Sequence, residues 1–177
     1  MAMSTETYGS VDDLEDGRWR LNFTRTLRHP VERVWRAVAE PEHLAAWFPC
    51  TVEGERRPGA QLRFEFPNGE APAFDGTVVA FDPPHAFEFF WGPDLVRIEL
   101  QPSGGGTILT LLDTLSERGK AARDGAGWHC CLDALEAELD SAPDASHGMA
   151  AWSALHPIYV ERFGPEGATL GPPDVAG

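Results

Sequence analysis

Arg25, Asp113 and His129 are the side chains of this sequence that could hold a charge or move a proton at an interior site. An arginine on a covered strand face needs an acceptor, a buried carboxyl group can serve as acid or base, and imidazole titrates near neutrality. Arg25 lies in the run RWRLNFTRTL, where Trp19, Leu21 and Phe23 alternate with Arg20, Asn22 and Thr24. It therefore shares the inward phase with Leu21 and Phe23, and either snorkels from the strand end or meets a polar partner. Asp113 is the carboxylate whose register in the run Thr107 to Thr114 can turn it inward, and its expected partner is Arg25, as an ion pair or a ligand-orienting pair. His129-Cys130 reads as a base beside a nucleophile, but consecutive helical positions point roughly 100° apart, which separates them. Cys131, on the apolar side of the same segment, reads as a small hydrophobe. His43, His85 and His156 stand at helix or turn boundaries, in solvent.

No HExxH, GxSxG, P-loop or GxGxxG pattern occurs, and Gly104 to Gly106 is a turn between strands. The reading therefore assigns no catalytic residue, metal or cofactor, and leans away from an enzyme. The inward phases instead are rich in aromatic residues: Phe23, Phe64, Phe66, Phe87, Phe89, Trp91 and Trp128. An apolar cavity with a few polar groups is the usual small-molecule site. The ligand-binding set expected here is Arg25, Trp47 at the entrance, Phe64, Phe66, Trp91, Asp113, Trp128 and Leu132.

Positioning such a set falls to the stretch from Asp124 to Asp140. Trp128, Cys131, Leu132, Leu135 and Leu139 recur at helical spacing and form one apolar stripe, with His129, Asp133, Glu136 and Asp140 outside it. About seven short strands precede this helix, joined by tight turns without a crossover helix, which implies an antiparallel meander. The strands run from Arg18, Thr51, Gln61, Phe74, Ala86, Leu95 and Thr107. After the first strand, His29-Pro30 opens a helix bearing Val31, Val34, Trp35 and Val38, and PEHLAAWF follows as a second short helix. Gly125 and Gly127 either admit a close approach of the sheet or form a hinge. Pro143-Asp144 ends the long helix, and Trp152, Leu155, Tyr159 and Phe163 predict a further helix kinked at Pro157. The fold class is α+β, a curved antiparallel sheet wrapped around a long C-terminal helix. Residues 1–17 read as an acidic flexible arm, 18–142 as the domain, 143–164 as a helical extension and 165–177 as a flexible tail.

The chain has 177 residues and a formal net charge of −14. That sign repels nucleic acid and anionic lipid surfaces. An odd set of cysteines, Cys50, Cys130 and Cys131, gives no disulfide framework and suits a reducing cytoplasm. No segment is apolar over a bilayer's width, so membrane insertion is not expected.

Three blocks carry a family resemblance: RTLRHPVERVWRAVAEPEHLAAWFP from Arg25 to Pro49, GTVVAFDPPHAFEFFW from Gly76 to Trp91, and GWHCCLDALEAEL from Gly127 to Leu139. Together they resemble the START-like, helix-grip superfamily (SRPBCC), in the branch named after the activator of the heat-shock-protein-90 ATPase. WSALHPIYVERFG, from Trp152 to Gly164, is similar to an extension of bacterial members. The resemblance implies a pocket between sheet and long helix. It also implies a range of functions, from carriers of lipids and other hydrophobic ligands to cyclases and co-chaperones.

Three readings follow. The first is a cytoplasmic, cofactor-free protein binding a small hydrophobic molecule. The second is a cyclase, dehydratase or hydrolase using Arg25, Asp113 or His129 in the same pocket. The third is an interaction module acting on a chaperone or as a homodimer through the Trp152 to Phe163 segment.

Overall fold

The computed structural model describes residues 7–67, 69, 71–142 and 149–171, with Met149 described by its main chain alone. Alternating apolar and polar residues build β2 (Trp19–Leu27), β4 (Gln61–Glu65) and β8 (Gly106–Thr114) with the apolar phase buried, as a half-covered sheet requires. With β1 (Ser10–Asp13), β3 (Thr51–Glu53), β5 (Phe74–Asp82), β6 (Ala86–Trp91) and β7 (Asp94–Ser103) they form one antiparallel sheet of 8 strands. Its order is β1-β2-β8-β7-β6-β5-β4-β3, a meander from β3 to β8 onto which β2 is added. The eighth strand is the one unforeseen. β1 pairs Ser10 with Asn22 and Asp13 with Trp19, within the segment read as a flexible arm. Its sequence, SVDD, carries too little apolar pattern to announce a strand.

Between β2 and β3 lie α1 (Val31–Ala39), opened by Pro30, and α2 (Pro41–Leu44). The long helix α3 (Ala121–Leu139) lies against β2, and α4 (Met149–Phe163) packs along α3 with Pro157 inside it. The α3 C-terminus is gripped by α1: Arg33 Nη2 donates to the Leu139 carbonyl at 2.7 Å, and His29 Nε2 lies 2.6 Å from Asp140. Arg33 there satisfies a carbonyl that the helix itself leaves unpaired, while His29, just before α1, meets the Asp140 side chain.

Helix α3 is buried on two sides. Trp128, Leu132, Leu135 and Leu139 are buried on the predicted stripe, but Gly125, Ala126 and His129 are buried too. A Cβ at Gly125 would stand 3.1 Å from the Phe163 ring and 3.2 Å from that of Tyr159, so glycine lets α4 approach closely. Of the segment read as a tail, Pro165–Ala168 forms a short 3-10 turn, and a Cβ at Gly167 would meet the ring of Trp19 at 2.8 Å. The expected stop at Pro143-Asp144, the start of the 143–164 extension and positions 172–177 lie outside the described residues.

Candidate functional site

Between the sheet and α3 the aromatic residues converge. Phe64 on β4, Trp91 at the end of β6 and Phe74 at the start of β5 meet with ring centroids 4.8 to 5.0 Å apart. Phe48, which follows α2, touches Trp91 at 5.2 Å, Trp128 at 5.8 Å, Phe89 at 6.2 Å and Phe64 at 6.5 Å. Most of these pairs are tilted or edge-on, the arrangement that ring quadrupoles favour. The protein's own rings thus stand in the interspace where the pocket is expected. Phe66, Phe74 and Trp91 are half-buried and mark the outer end of the cluster, while Phe48, Phe64, Phe89 and Trp128 are buried beneath them.

The expected residues do not all gather there. Phe64, Phe66, Trp91 and Trp128 belong to the ring cluster. Leu132 is buried one turn of α3 beyond Trp128. Trp47 is not at an entrance: it is fully buried, edge-on to Phe48, and its indole donates to the Ala37 carbonyl of α1 at 2.8 Å. Phe48, Phe74 and Phe89 complete the cluster. Phe89 is visible in an inward phase and Phe48 on the apolar side of PEHLAAWF with Leu44 and Trp47, whereas Phe74 sits at an element end, where periodicity carries no phase.

Asp113 faces inward from β8, fully buried, and its Oδ2 accepts the Trp128 indole N–H at 2.8 Å. Its Oδ1 is buried without a hydrogen-bond partner. The expected pairing with Arg25 does not occur. In the sheet register Leu21 stands opposite Asp113 and Arg25 opposite Leu109, four residues along β2, or roughly 13 Å at the usual strand rise. Asp113 instead neighbours Asp94 and Asp124, each offering one oxygen within 4.8 Å of the others. Asp94 accepts from the Ser116 amide at 2.8 Å and from Lys120 Nζ at 3.1 Å, and Arg123 Nε donates to Asp124 at 2.8 Å. Three carboxylates this close are a set that can hold a cation, and the chain supplies its own in Lys120 and Arg123. Burial first, then the charge of Asp94, pushes the Asp113 carboxyl well above the ordinary carboxylate range. Burial raises Asp124 as well.

A second polar group lies on the other side of α3. Arg25, 5% exposed, donates through Nη1 to Asp133 at 2.8 Å and through Nη2 to the Thr7 carbonyl at 3.1 Å, with Glu136 at 3.6 Å. His129 Nδ1 lies 2.8 Å from the Tyr159 hydroxyl and its Nε2 3.4 Å from Asp133. The Gly9 amide donates to the same hydroxyl at 2.9 Å. A neutral His129 protonated on Nε2 satisfies this chain: Gly9 to Tyr159, Tyr159 to His129, His129 to Asp133. Burial alone would raise Asp133, but the hydrogen bonds from His129 and Arg25 outweigh it and hold the carboxyl below its usual value. Burial pushes the Tyr159 phenol up to about 12. His129 and Arg25 therefore brace α3, α4 and the N-terminal segment, apart from Asp113. The sequence signal is the i, i+4 pair His129 and Asp133; Tyr159, thirty positions from His129, announces nothing. Burial pushes the Cys50 thiol up to about 12 and raises Cys131 also, which makes both poor nucleophiles.

A curved antiparallel sheet, two short helices after its first long strand and a C-terminal helix over an aromatic interior define a helix-grip protein of the START-like class. The chain belongs to the family described as activator of Hsp90 ATPase homolog 1-like protein, matched over residues 28–140, within the SRPBCC superfamily. Among solved structures, CalU16 from Micromonospora echinospora is similar with a TM-score of 0.68 and 20% identity, over 88% of this chain and 95% of its own. EF2215 from Enterococcus faecalis, a conserved protein of unknown function, gives 0.72 and 18%, over 90% and 92%. DynU16, from the dynemicin biosynthetic locus, gives 0.63 and 26% over 77% of this chain, which spans 50% of DynU16. No curated protein matches the sequence. None of the described helices is long and apolar enough to cross a membrane.

Proposed function

We propose that this protein binds a small hydrophobic molecule among the rings between the sheet and α3, as a cytoplasmic carrier or sequestering protein. The observation that carries this reading is the graded ring cluster. Phe66, Phe74 and Trp91 are half-buried at its outer end, and the buried rings of Phe48, Phe64, Phe89 and Trp128 continue from them inward. Rings that touch by edges separate by side-chain rotation, and the dispersion attraction each gives up with its neighbour returns against an apolar guest. Of the candidate residues, Phe64, Phe66, Trp91 and Trp128 form the wall, Leu132 backs it and Asp113 is its polar group. Arg25 and Trp47 act from outside it. Membership of the family and the place of DynU16 in a biosynthetic locus support a small-molecule role without naming the molecule.

The interaction-module reading rests on an exposed Trp152 to Phe163 face. Tyr159 is fully buried, and Trp152 is half-buried with its indole donating to the Arg123 carbonyl at 3.2 Å, so that face is turned toward the protein's own α3. The test is a titration with Nile red, followed by its emission. Saturable binding that weakens severalfold in Trp91→Ala, and is unchanged in a variant of the outward-facing Phe90, supports the site. Binding indifferent to Trp91 would refute it.

A further inference from the structure

The polar end of the ring cluster tells what kind of hydrophobic molecule fits, provided that the ligand-binding reading above holds. Trp128 joins two surroundings: its ring touches Phe48 and Trp91, with centroids 5.8 and 6.1 Å away, and its N–H ends on Asp113. The carboxyl group therefore lies one indole's width from the rings. Its Oδ2 is already an acceptor, and its Oδ1 is buried without a hydrogen-bond partner, with carboxylate oxygens of Asp94 and Asp124 near the group. A buried oxygen left in that condition costs stability, and native proteins retain few of them.

The charges around it decide which form the group takes. Lys120 sits on Asp94 and Arg123 on Asp124, so two cations answer two carboxylates and none is left for Asp113. A third anion enclosed with the other two, given a single neutral N–H, is unfavourable; Asp113 keeps its proton instead. Because Oδ2 accepts from the indole, the proton resides on Oδ1. A buried O–H without a partner is complementary to an oxygen that accepts.

We propose that Asp113 is the polar anchor of the ring site and that its Oδ1 hydroxyl donates a hydrogen bond to a carbonyl or ether oxygen on an otherwise apolar, ring-bearing ligand. An amine or ammonium ligand is disfavoured, since it would require the ionised form. The position also explains a carboxyl group amid aromatic residues where a leucine would pack at lower cost.

Two probes of one shape separate this from simple hydrophobic capture: 2-acetylnaphthalene, which offers a carbonyl oxygen, and 2-isopropylnaphthalene, which does not. Dissociation constants at neutral pH come from displacement of Nile red. The wild-type protein is expected to favour the ketone by roughly tenfold, the worth of one buried hydrogen bond. Asp113→Asn keeps the preference, because its amide oxygen still accepts from Trp128 while its NH₂ donates to the ligand. Asp113→Leu loses it and binds both probes alike. Equal binding of the two probes by the wild type overturns the anchor and leaves the hydrophobic site standing. Binding of neither probe removes both readings. Loss of the preference in Asp113→Asn overturns the anchor even where Asp113→Leu does not fold.

Discussion

Removing Asp133 should cost more stability than removing the arginine it serves. The Arg25 guanidinium is 5% exposed, and its charge is answered by Asp133 at 2.8 Å and more weakly by Glu136 at 3.6 Å. Breaking a buried pair from one side costs about 3–5 kcal/mol, because the remaining charge stays where water cannot reach it. Asp133 is itself 33% exposed and Glu136 remains, so solvent and the second carboxylate recover part of this. We expect ~2–3 kcal/mol for Asp133→Ala. Arg25→Met removes the buried charge together with its unpartnered Nε and leaves Asp133 to water and His129, for ~1 kcal/mol. Urea denaturation followed by circular dichroism measures both, and for a chain of this size the first should lower the melting temperature by roughly 4–12 °C. The sign with pH is fixed as well. Asp133 lies below its usual 3.8 in the folded state, so its contribution is complete above 3.8 and is lost as pH falls through the depressed value. The gap between wild type and Asp133→Ala should therefore close in strong acid. If Arg25→Met costs as much as Asp133→Ala, or if the gap persists in acid, the account of a buried cation held by this carboxylate is wrong.

Other outcomes follow from single interactions. Tyr159→Phe strips the hydroxyl that receives the Gly9 amide and faces His129 Nδ1, for about 1–3 kcal/mol, and amide exchange at Gly9 should accelerate. Leu132→Ala, at a position 1% exposed beneath Trp128, should cost about 2–5 kcal/mol in the same denaturation assay. Asp113→Asn should flatten the pH dependence of stability: the folded wild type keeps a proton that the unfolded chain releases, so its stability falls as pH rises from 3.8 toward the higher folded-state value. A variant with the same slope as wild type over that range would show Asp113 to be ionised in the fold.

The fold is legible because it is written in periodicity. The alternation of Leu62 and Phe64 with Gln61, Arg63 and Glu65 marks β4, and the spacing of Trp128, Leu132, Leu135 and Leu139 marks the sheet-facing side of α3. What stays hidden is set by distant pairing. β1 exists because β2 offers it an edge, and SVDD alone has no such preference. His129 falls outside the apolar stripe of α3 and is buried nonetheless, because the stripe marks only one covered face and α4 covers a second. The inward phase of Arg25 and Asp113 shows in each strand by itself, but their mutual offset does not, since register along β2 and β8 is fixed by pairing and not by either strand alone. Asp94 reads as a turn residue, and only the return of β8 and the turn before α3 bring Asp113 and Lys120 to it.

The separation of Trp128 from His129 bears on how the site can vary among proteins with this fold. Consecutive residues of a helix point roughly 100° apart, so one strand-facing position and one α4-facing position belong to unrelated surroundings. Trp128 ends on Asp113 of β8, and His129 ends on Tyr159 of α4. Changes on the Trp128 side alter the rings and the polar group a guest would meet, while the bracing on the far side stays intact. Changes on the His129 side loosen the seating of α3 without altering any ring. A variant such as Tyr159→Phe should then weaken Nile red binding only in proportion to the stability it removes, whereas Trp91→Ala, which also gives up ring contacts, should weaken it well beyond its cost in stability. Affinity that drops in Tyr159→Phe well beyond its cost in stability would mean that the back of α3 takes part in binding, and the two sides would have to be treated as one site.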